Sequence, residues 1–352
     1  MLCLLIQSKY SHEKIFYKSN VIISPFSVKL VLALLTEAAG AQSGTQKELA
    51  AVLPHLSSPA LVRSHYKKIL NSLKEKSLQY DLNVGTKLYV DEFIRPRQRF
   101  SSIIHAHYDA DIEQLNFRDL DRSVEIINNW CANITEGHLK NVAAVLLILN
   151  AIYFNGKWKT PFNKSDTFDL EFFTEPGTGV SVTFMTQTKN FYYYESSKLN
   201  AKLLRMPYKG KKFSMTLLLP NSNANLDQLI RDIDGDDLKR LQWLMYETEV
   251  KVTIPKFKFD YTSHLNDILK SVGVCAFAGL STWLRSEQSI TSFTYYPESG
   301  SNFVKITFAI GIIDKISGVT KEFNANHPFV FVIEDETTGT LLFAGKVTNP
   351  SK

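Results

Sequence analysis

The sequence predicts an α+β fold with large, mixed β-sheets. Segments of helical period dominate the first 140 residues, whereas short alternating segments dominate the chain from Phe168 onward. The 352 residues are 44% hydrophobic and 21% charged, as in an ordinary globular protein. We find no repeat and no Pro/Gly/Ser-rich linker, so one domain spanning residues 1–352 is expected.

The first half carries the helix signals. Ser24 can cap a helix and Pro25 suits its first position, so a helix is predicted to run on to Gly40. Capping residues or apolar stripes predict further helices, namely one from Thr45 to near Pro54, Pro59–Ser77, Pro96–Tyr108 and Asp121–Gly137. Two strands belong to the same half. Leu82–Val90 alternates, and Val142–Phe154 is an almost continuous apolar run that predicts a strand buried on both faces.

The second half predicts mainly strands. Alternating or apolar segments occur at Val180–Met185, Phe191–Tyr194, Ala201–Met206, Phe213–Leu219 and Glu249–Phe259. A hairpin is predicted from Phe329–Glu334 and Thr340–Val347, with its turn at Glu336–Gly339. Helices are predicted over Leu226–Trp243 and Ser263–Ser271.

Charge and cysteine content exclude several classes. The net charge of +5 neither indicates nor excludes a polyanionic partner, and we predict no nucleic-acid partner. Cys3, Cys131 and Cys275 cannot all pair, and no CxxC motif occurs, so a disulfide framework or zinc site is not expected. No run of 18 apolar residues exists, so no membrane span is predicted.

Enzyme motifs are missing. The sequence contains no GxSxG, GxxxxGK[ST], GxGxxG or HExxH motif. His105 and His107 share one predicted helix, but a spacing of two residues places them on different faces. We therefore predict no enzyme activity, no catalytic residues, no cofactor and no metal.

The start of the chain and two tripeptides give opposite indications of whether the protein is secreted. The apolar stretch Met1–Ile6 stops at Gln7, which is too short for a signal peptide. Asn133-Ile-Thr135 and Asn163-Lys-Ser165 are glycosylation sequons, which matter only in a secreted chain. A truncated start would reconcile the two observations.

Several blocks of sequence, in this order, resemble the serpin superfamily, and insect serpins in particular. These blocks are Asn20–Ser27 with Gly40–Ala41, Ile127–Trp130 with Thr135 and Gly137, Asn150–Trp158 with Pro161–Phe162, Pro207–Gly210, Ile254–Phe257, Leu269–Gly273, Phe323–Asn324 with His327–Phe329, and Thr338–Gly345 with Asn349–Pro350. The resemblance implies three β-sheets, about eight or nine helices and an exposed reactive loop at about residues 298–322. It also implies that the N-terminal helix is truncated.

The resemblance implies a function as well. Inhibitory serpins are extracellular, monomeric suicide substrates of serine proteases. The protease cleaves the reactive loop, and the freed loop enters the central sheet as an extra strand before the acyl-enzyme is released. This chain is therefore expected to be a serine protease inhibitor acting outside the cell.

The resemblance assigns residues to the parts that open for the loop. Asn20, Ser24, Ser27 and Asn150 match the polar shutter that holds the central sheet closed, and Trp158 matches the breach where insertion begins. Simpler roles are a plain helix cap for Ser24 and core packing for Trp158.

Two departures from the family pattern weaken the inhibitory interpretation. The shutter histidine is missing, since no His occurs between His264 and His327, and this puts the fifth strand of the central sheet in doubt. The hinge begins correctly with Glu298, Gly300 and Ser301. Bulky residues then follow where small ones belong, at Phe303, Val304, Lys305 and Ile306, so slow or incomplete insertion is expected.

The resemblance places the cleaved bond only roughly. Counting along the loop favours Lys315-Ile316, which implies a trypsin-like target, while Ile316-Ser317 would imply an elastase- or chymotrypsin-like one. Lys315 could also be an exposed lysine without a protease role.

Basic residues suggest a possible glycosaminoglycan partner. They fall on the segment that matches the glycosaminoglycan-binding helix of some serpins and just after it, at Arg63, Lys67, Lys68, Lys74, Lys76, Lys87, Arg95, Arg97 and Arg99. A merely solvated helix face is the simpler interpretation.

Two alternatives stay open at the level of the whole chain. One is a non-inhibitory serpin, either a binding or chaperone-like protein or a simple protease substrate. The other is an aberrant gene model or splice form, in which the segment Ser281–Thr320 has been wrongly translated from the gene.

Overall fold

A computed structural model describes residues 19–39, 43–53, 58–136, 147–221, 226–233, 235–263, 289–294 and 320–351. Seven α-helices occur in these ranges: α1 Pro25–Ala38, α2 Gly44–Val52, α3 Pro59–Leu73, α4 Gln98–Tyr108, α5 Leu120–Ile134, α6 Leu226–Asp232 and α7 Gly235–Leu244. A short 3₁₀ helix spans Lys164–Asp166. The described strands are β1 Val21–Ile23, β2 Tyr80–Asp91, β3 Ala110–Leu115, β4 Leu147–Gly156, β5 Thr167–Glu175, β6 Thr178–Ser196, β7 Ala201–Pro207, β8 Phe213–Pro220, β9 Tyr246–Pro255, β10 Lys258–Ser263, β11 Ser289–Thr294, β12 Lys321–Asn324, β13 Phe329–Asp335 and β14 Thr340–Val347.

The strands form three sheets, and the α+β prediction is confirmed. The largest has nine strands in the order β1-β14-β13-β8-β7-β6-β9-β12, with β5 added on β6. A second has the order β3-β2-β4, and β10 pairs with β11 in a third. The β3 strand runs parallel to β2 and β12 runs parallel to β9, whereas every other strand pair among the described residues is antiparallel.

Three element predictions were wrong in their boundaries. The two strands predicted over residues 180–194 are one 19-residue strand, β6. Its exposed polar residues near Lys189 break the apolar pattern, but its backbone stays paired with β9. The helix predicted over Leu226–Trp243 is two helices, α6 and α7, and the second begins at Gly235, a poor helix former. The strand predicted over Glu249–Phe259 ends at Pro255, which has no N–H to donate, and β10 follows.

The segment doubted as the fifth strand of the central sheet forms a strand, but among the described residues it lies in a separate two-stranded sheet. Ser289–Thr294 makes strand β11, which pairs antiparallel with β10 from Ser263↔Ser289 to Lys258↔Thr294. The helix predicted over Ser263–Ser271 lies outside the described residues. The predicted hairpin at the C-terminal end is confirmed, with Gly339 at positive φ in its turn.

The main core lies under the large sheet. Strands β8 and β13 are buried along their whole length, and α1 packs against β14 and β4. The prediction of a doubly buried strand over Val142–Phe154 was wrong for the part described, because only Ala151 is buried between Leu149 and Gly156. Among the described residues β4 pairs only with β2, and of the helices α5 and α1 pack against it.

Candidate functional site

The four residues assigned to the shutter fall into separate hydrogen-bond groups. Asn20 precedes β1 and binds the C-terminal end of the chain. Its Oδ1 accepts hydrogen bonds from the backbone N–H of Thr348 (2.8 Å) and of Asn349 (2.9 Å), and its Nδ2 donates to the carbonyl of Asn349 (2.7 Å). Asn20 thus fixes the chain just before β1 to the segment just after β14, which is the strand that β1 pairs with.

Ser24 is the cap of α1, as the simpler interpretation predicted. It is buried, and its Oγ accepts from the backbone N–H of Ser27 at 3.1 Å. The Ser27 hydroxyl oxygen is itself buried and has no hydrogen-bond partner among the described residues. A buried hydroxyl without a partner is costly, so it marks a position where the polar network is incomplete.

Asn150 ties β4 to β2. Its Nδ2 donates to the carbonyl of Gly85 at 3.2 Å and to the hydroxyl of Thr86 at 2.9 Å, and Thr86 is its register partner across the two strands. The Asn150 Oδ1 is buried and has no partner among the described residues. The side-chain amide of Asn150 therefore bonds on the β2 side of β4, and the remaining acceptor has no partner in the part of the chain that the structure describes.

Trp158 joins the three-stranded sheet to the large sheet. It lies just beyond β4, is 6% exposed, and stacks on Tyr208 with ring centroids 4.2 Å apart and planes 11° apart. The two residues also form an isolated antiparallel bridge. Phe154 packs edge-on against Tyr208 at 5.0 Å and against Phe213 at 5.1 Å. The core interpretation of Trp158 is thus compatible with a place at the junction between two sheets.

The sequence did not reveal which residues contact Asn150 of the assigned shutter and Trp158 of the assigned breach. Tyr208 belongs to the Pro207–Gly210 block, and Thr86 lies in a predicted strand, but neither pattern says what the side chain contacts. Periodicity predicts strands and not their pairing, so only the register brings Thr86 opposite Asn150 and Tyr208 under Trp158.

The outer edges of β4 and β11 belong to two different sheets in the described part of the chain. Within those residues no strand pairs with β4 on the side away from β2, and none pairs with β11 on the side away from β10. An open edge presents unpaired backbone N–H and C=O groups, and such groups can accept an additional strand.

The segment between β11 and β12 starts and ends in different sheets. Strand β12 is the parallel edge strand of the large sheet, and side chains fasten it there. Lys321 forms an ion pair with Glu195 at 3.1 Å, and the Thr320 hydroxyl donates to Glu249 at 3.0 Å. Lys202 donates to the carbonyl of Glu322 at 3.1 Å. The hydrogen bond from Tyr193 and the ion pair with Lys321 hold the pKa of Glu195 below its ordinary value.

The hinge and the cleaved bond lie outside the described residues. This applies to Glu298, Gly300 and Ser301, and to Lys315 and Ile316, so these assignments remain predictions.

Both sequon asparagines are exposed. Asn133 lies in the last turn of α5, but the hydroxyl of Thr135 in the same sequon is buried and donates to the carbonyl of Cys131 at 2.7 Å. Asn163 donates from Nδ2 to Asp166 at 3.1 Å.

Of the nine basic residues assigned to a polyanion surface, some form ion pairs with acidic side chains. Three are neutralised by acids, in Arg63–Glu37 (2.7 Å), Lys74–Asp109 (2.5 Å) and Lys87–Glu113 (2.5 Å). Lys68 instead shares its surroundings with Lys29, His65 and Lys239. Burial, followed by the charges of these three lysines, lowers the pKa of His65. These three lysines lie on α1, α3 and α7, so the three helices bring like charges together around His65.

The described residues contain no group of three or more His, Cys, Asp or Glu side chains that could hold a metal. No helix among them is long and apolar enough to cross a membrane.

Comparison with known proteins identifies one family. The family model described as "Serpin (serine protease inhibitor)" matches residues 2–350. The chain is 36% identical to serine protease inhibitor 2 of Anopheles gambiae, over 95% of this chain and 88% of that protein. It is 27% identical to human serpin B3, over 95% and 94% of the two chains.

Solved structures agree on the fold. Uncleaved ovalbumin superposes with a TM-score of 0.79 at 23% identity, covering 95% of this chain and 94% of ovalbumin. Human thyroxine-binding globulin also gives 0.79, at 20% identity and with coverage of 95% and 93%. At these identities the likeness concerns the fold and carries no ligand or activity to this chain.

Proposed function

Because the chain belongs to the serpin family, we propose that it is a suicide-substrate inhibitor of a serine protease. A target enzyme cleaves the loop between β11 and β12 and becomes acylated. The upstream part of the loop then enters beside β4 as a new strand, while the downstream part stays on the large sheet. The mechanism requires an opening for a strand and two separately anchored loop ends.

The observation that carries this proposal is that, among the described residues, no strand pairs with β4 beyond β2 or with β11 beyond β10. The added strand would find unpaired backbone groups there without first breaking a described ladder. The polar contacts of β12 support the second requirement, because they hold the downstream end on β9 after cleavage.

We place the cleaved bond at Lys315-Ile316, with a trypsin-like enzyme as the target. A basic residue before the bond fits an enzyme whose specificity pocket carries an acidic group. We also propose that the protein is monomeric and acts outside the cell.

A second candidate is a non-inhibitory serpin that the protease merely cleaves. Phe303 and Lys305 favour it, since a large ring and an unpaired charge must be buried between packed strands on insertion. The Asn150 Oδ1 and the Ser27 hydroxyl favour it further, because neither has a hydrogen-bond partner among the described residues.

One experiment separates the two. The protein is incubated with trypsin and resolved on a denaturing gel, together with Lys315→Gln and with a Phe303→Ala/Lys305→Ala variant. If the protein is an inhibitor, the parent should form a covalent complex with trypsin and Lys315→Gln should form none. The Phe303→Ala/Lys305→Ala variant, here called the slim-hinge variant, should form more of the complex than the parent. Cleavage without any complex, even in the slim-hinge variant, would overturn the inhibitory proposal.

A glycosaminoglycan is the proposed polyanionic partner, at Lys29, Lys68 and Lys239 around His65. Elution from a heparin column tests it with Lys68→Gln/Lys239→Gln, and Lys209→Gln serves as a control on the turn after β7. The double variant should elute at distinctly lower salt than the control. Equal elution of the two variants would reject this surface.

A further inference from the structure

Helix α5 is a separate layer on the three-stranded sheet. Its buried side chains Ile127 and Cys131 pack with Tyr89, Leu115 and Phe117 in a small cluster that is distinct from the main core. Trp130 adds an edge-on contact to Tyr89 at 6.5 Å. A helix held by a small satellite cluster can open without unfolding the rest of the protein, because few apolar contacts have to be broken.

The C-terminal end of α5 rests directly on the backbone of β2. A Cβ at Gly85 would lie 2.8 Å from Ile134 Cδ1, so only a glycine permits this approach. Ile134 is followed by Thr135, whose hydroxyl donates to Cys131 O and closes the last turn. Glu136 then adopts a φ of +52°, a left-handed conformation that disfavours any side chain.

The left-handed residue turns its carboxylate onto two strands. Asn83 Nδ2 donates to Glu136 Oε1 at 3.2 Å, and the Tyr153 hydroxyl makes a second hydrogen bond to the same side chain. Asn83 on β2 and Tyr153 on β4 are register partners. A single exposed carboxylate at the end of α5 therefore spans the β2–β4 pair.

We propose that Glu136 is a latch: its carboxylate fastens α5 over β2 and β4, and its release lets α5 open locally. The strained backbone is compatible with this role, since a left-handed glutamate persists only where other contacts compensate its cost. The two hydrogen bonds to the ionised carboxylate are the described contacts that do so.

The latch has a consequence that rests on the proposed function. A strand that enters beside β4 joins the sheet that α5 covers. We therefore expect α5 to open before the strand inserts. Glu136 would then regulate how fast the cleaved loop competes with release of the protease.

Cys131 reports on the opening without any protease. Burial raises the pKa of its thiol to about 11, and the residue is 2% exposed, so a disulfide reagent reaches it only when α5 lifts. Replacing Cys3 and Cys275 by serine leaves Cys131 as the single thiol in the chain. The rate of its reaction with dithiobis(nitrobenzoate) under native conditions then measures the opening equilibrium.

Five variants in this background test the latch. Glu136→Ala should speed the reaction of Cys131 by about fivefold to tenfold, the effect of losing hydrogen bonds to a charged group. Asn83→Ala and Tyr153→Phe should each give a smaller increase. Glu136→Gln keeps an acceptor but loses the charge, so its rate should lie between those of the parent and Glu136→Ala. Glu125→Ala removes an exposed acid from the same helix and should leave the rate unchanged.

Urea unfolding of the same proteins separates local from global opening. If Glu136 is a latch, Cys131 should be labelled faster in Glu136→Ala than in the parent. The accompanying loss in the free energy of global unfolding should be too small to explain that increase. An unchanged labelling rate, or an increase that the loss of global stability explains fully, would overturn the proposal. Neither result depends on the trypsin gel, so the latch and the inhibitory function can fail separately.

Discussion

Asn20 and Asn349 lie 329 positions apart in the sequence, yet their amide groups close the structure at one point: Asn20 donates to the Asn349 carbonyl and accepts from the Asn349 N–H. The chain before β1 is thereby fixed to the chain after β14, with a third bond from the Thr348 N–H. A residue assigned to the shutter by family resemblance thus acts, in the described part of the molecule, as a clasp between two neighbouring strands, β1 and β14, at one end of the large sheet.

Asn20→Ala should lower the free energy of unfolding by about 2–3 kcal/mol, because three hydrogen bonds to backbone groups are lost at about 1 kcal/mol each. Urea unfolding followed by circular dichroism measures this loss. Asn20→Asp keeps the acceptor but not the donor and should lose less. A stability of Asn20→Ala within about 0.5 kcal/mol of the parent would show that the clasp contributes little.

Gly156→Ala should destabilise the protein by about 1–3 kcal/mol. A Cβ there would lie 2.6 Å from Phe154 Cζ and 2.7 Å from Tyr208 Cδ1, which pushes apart the rings next to Trp158. Thermal unfolding tests this prediction. Gly44→Ala is the control, since its Cβ meets nothing within 4 Å and a helix favours alanine, so its stability should stay equal or rise.

Asn150→Ala should lower the free energy of unfolding by about 1–2 kcal/mol, through loss of its bonds to Gly85 O and to the Thr86 hydroxyl. Thr86→Val removes one of these bonds and should cost less. In a double-mutant cycle the two changes should couple, because they share that bond. Strict additivity would mean that the Asn150–Thr86 contact does not stabilise the fold.

Glu334→Gln should be more stable than the parent at pH 8. Burial raises the pKa of the Glu334 carboxyl above its ordinary 4.5, against smaller opposing effects of the Gln242 hydrogen bond and the Arg205 charge. A raised pKa means that the protonated carboxyl stabilises the folded state below the unfolded pKa, and that this contribution is lost as pH rises through the folded pKa.

The gap between Glu334→Gln and the parent should therefore shrink as pH falls from 8 toward 4.5. Urea midpoints measured across this range provide the test, with the exposed Glu125→Gln as a control that should show no such trend. A gap that widens toward low pH would contradict the burial argument.

Patterns in the sequence predicted elements better than boundaries. The cap at Ser24, the amphipathic α5 and the C-terminal hairpin follow from local rules of capping, period and turn chemistry, and the structure confirms them. The two helices at 226–244 and the 19-residue β6 did not follow, because a local pattern does not record which strand a backbone pairs with.

Individual residues of the candidate site could be predicted from the sequence, but the residues that they contact could not. Asn150 and Trp158 could be named from family-like blocks, but their partners Thr86 and Tyr208 could not, since each contact joins segments more than 45 residues apart. The Glu136 latch carries no motif at all. It exists because β2 and β4 bring Asn83 beside Tyr153 under the end of one helix.

The order of the sequence blocks by itself determined the family, and capping, period and composition determined which segments are helix or strand. Both are local properties, since capping groups and side-chain period act within a few residues of chain. Tertiary structure alone decided which strands pair, where an edge stays open and which polar atoms lack a partner. Those outcomes depend on register between distant segments, and a shift of one residue would turn every side chain of a strand to the opposite face.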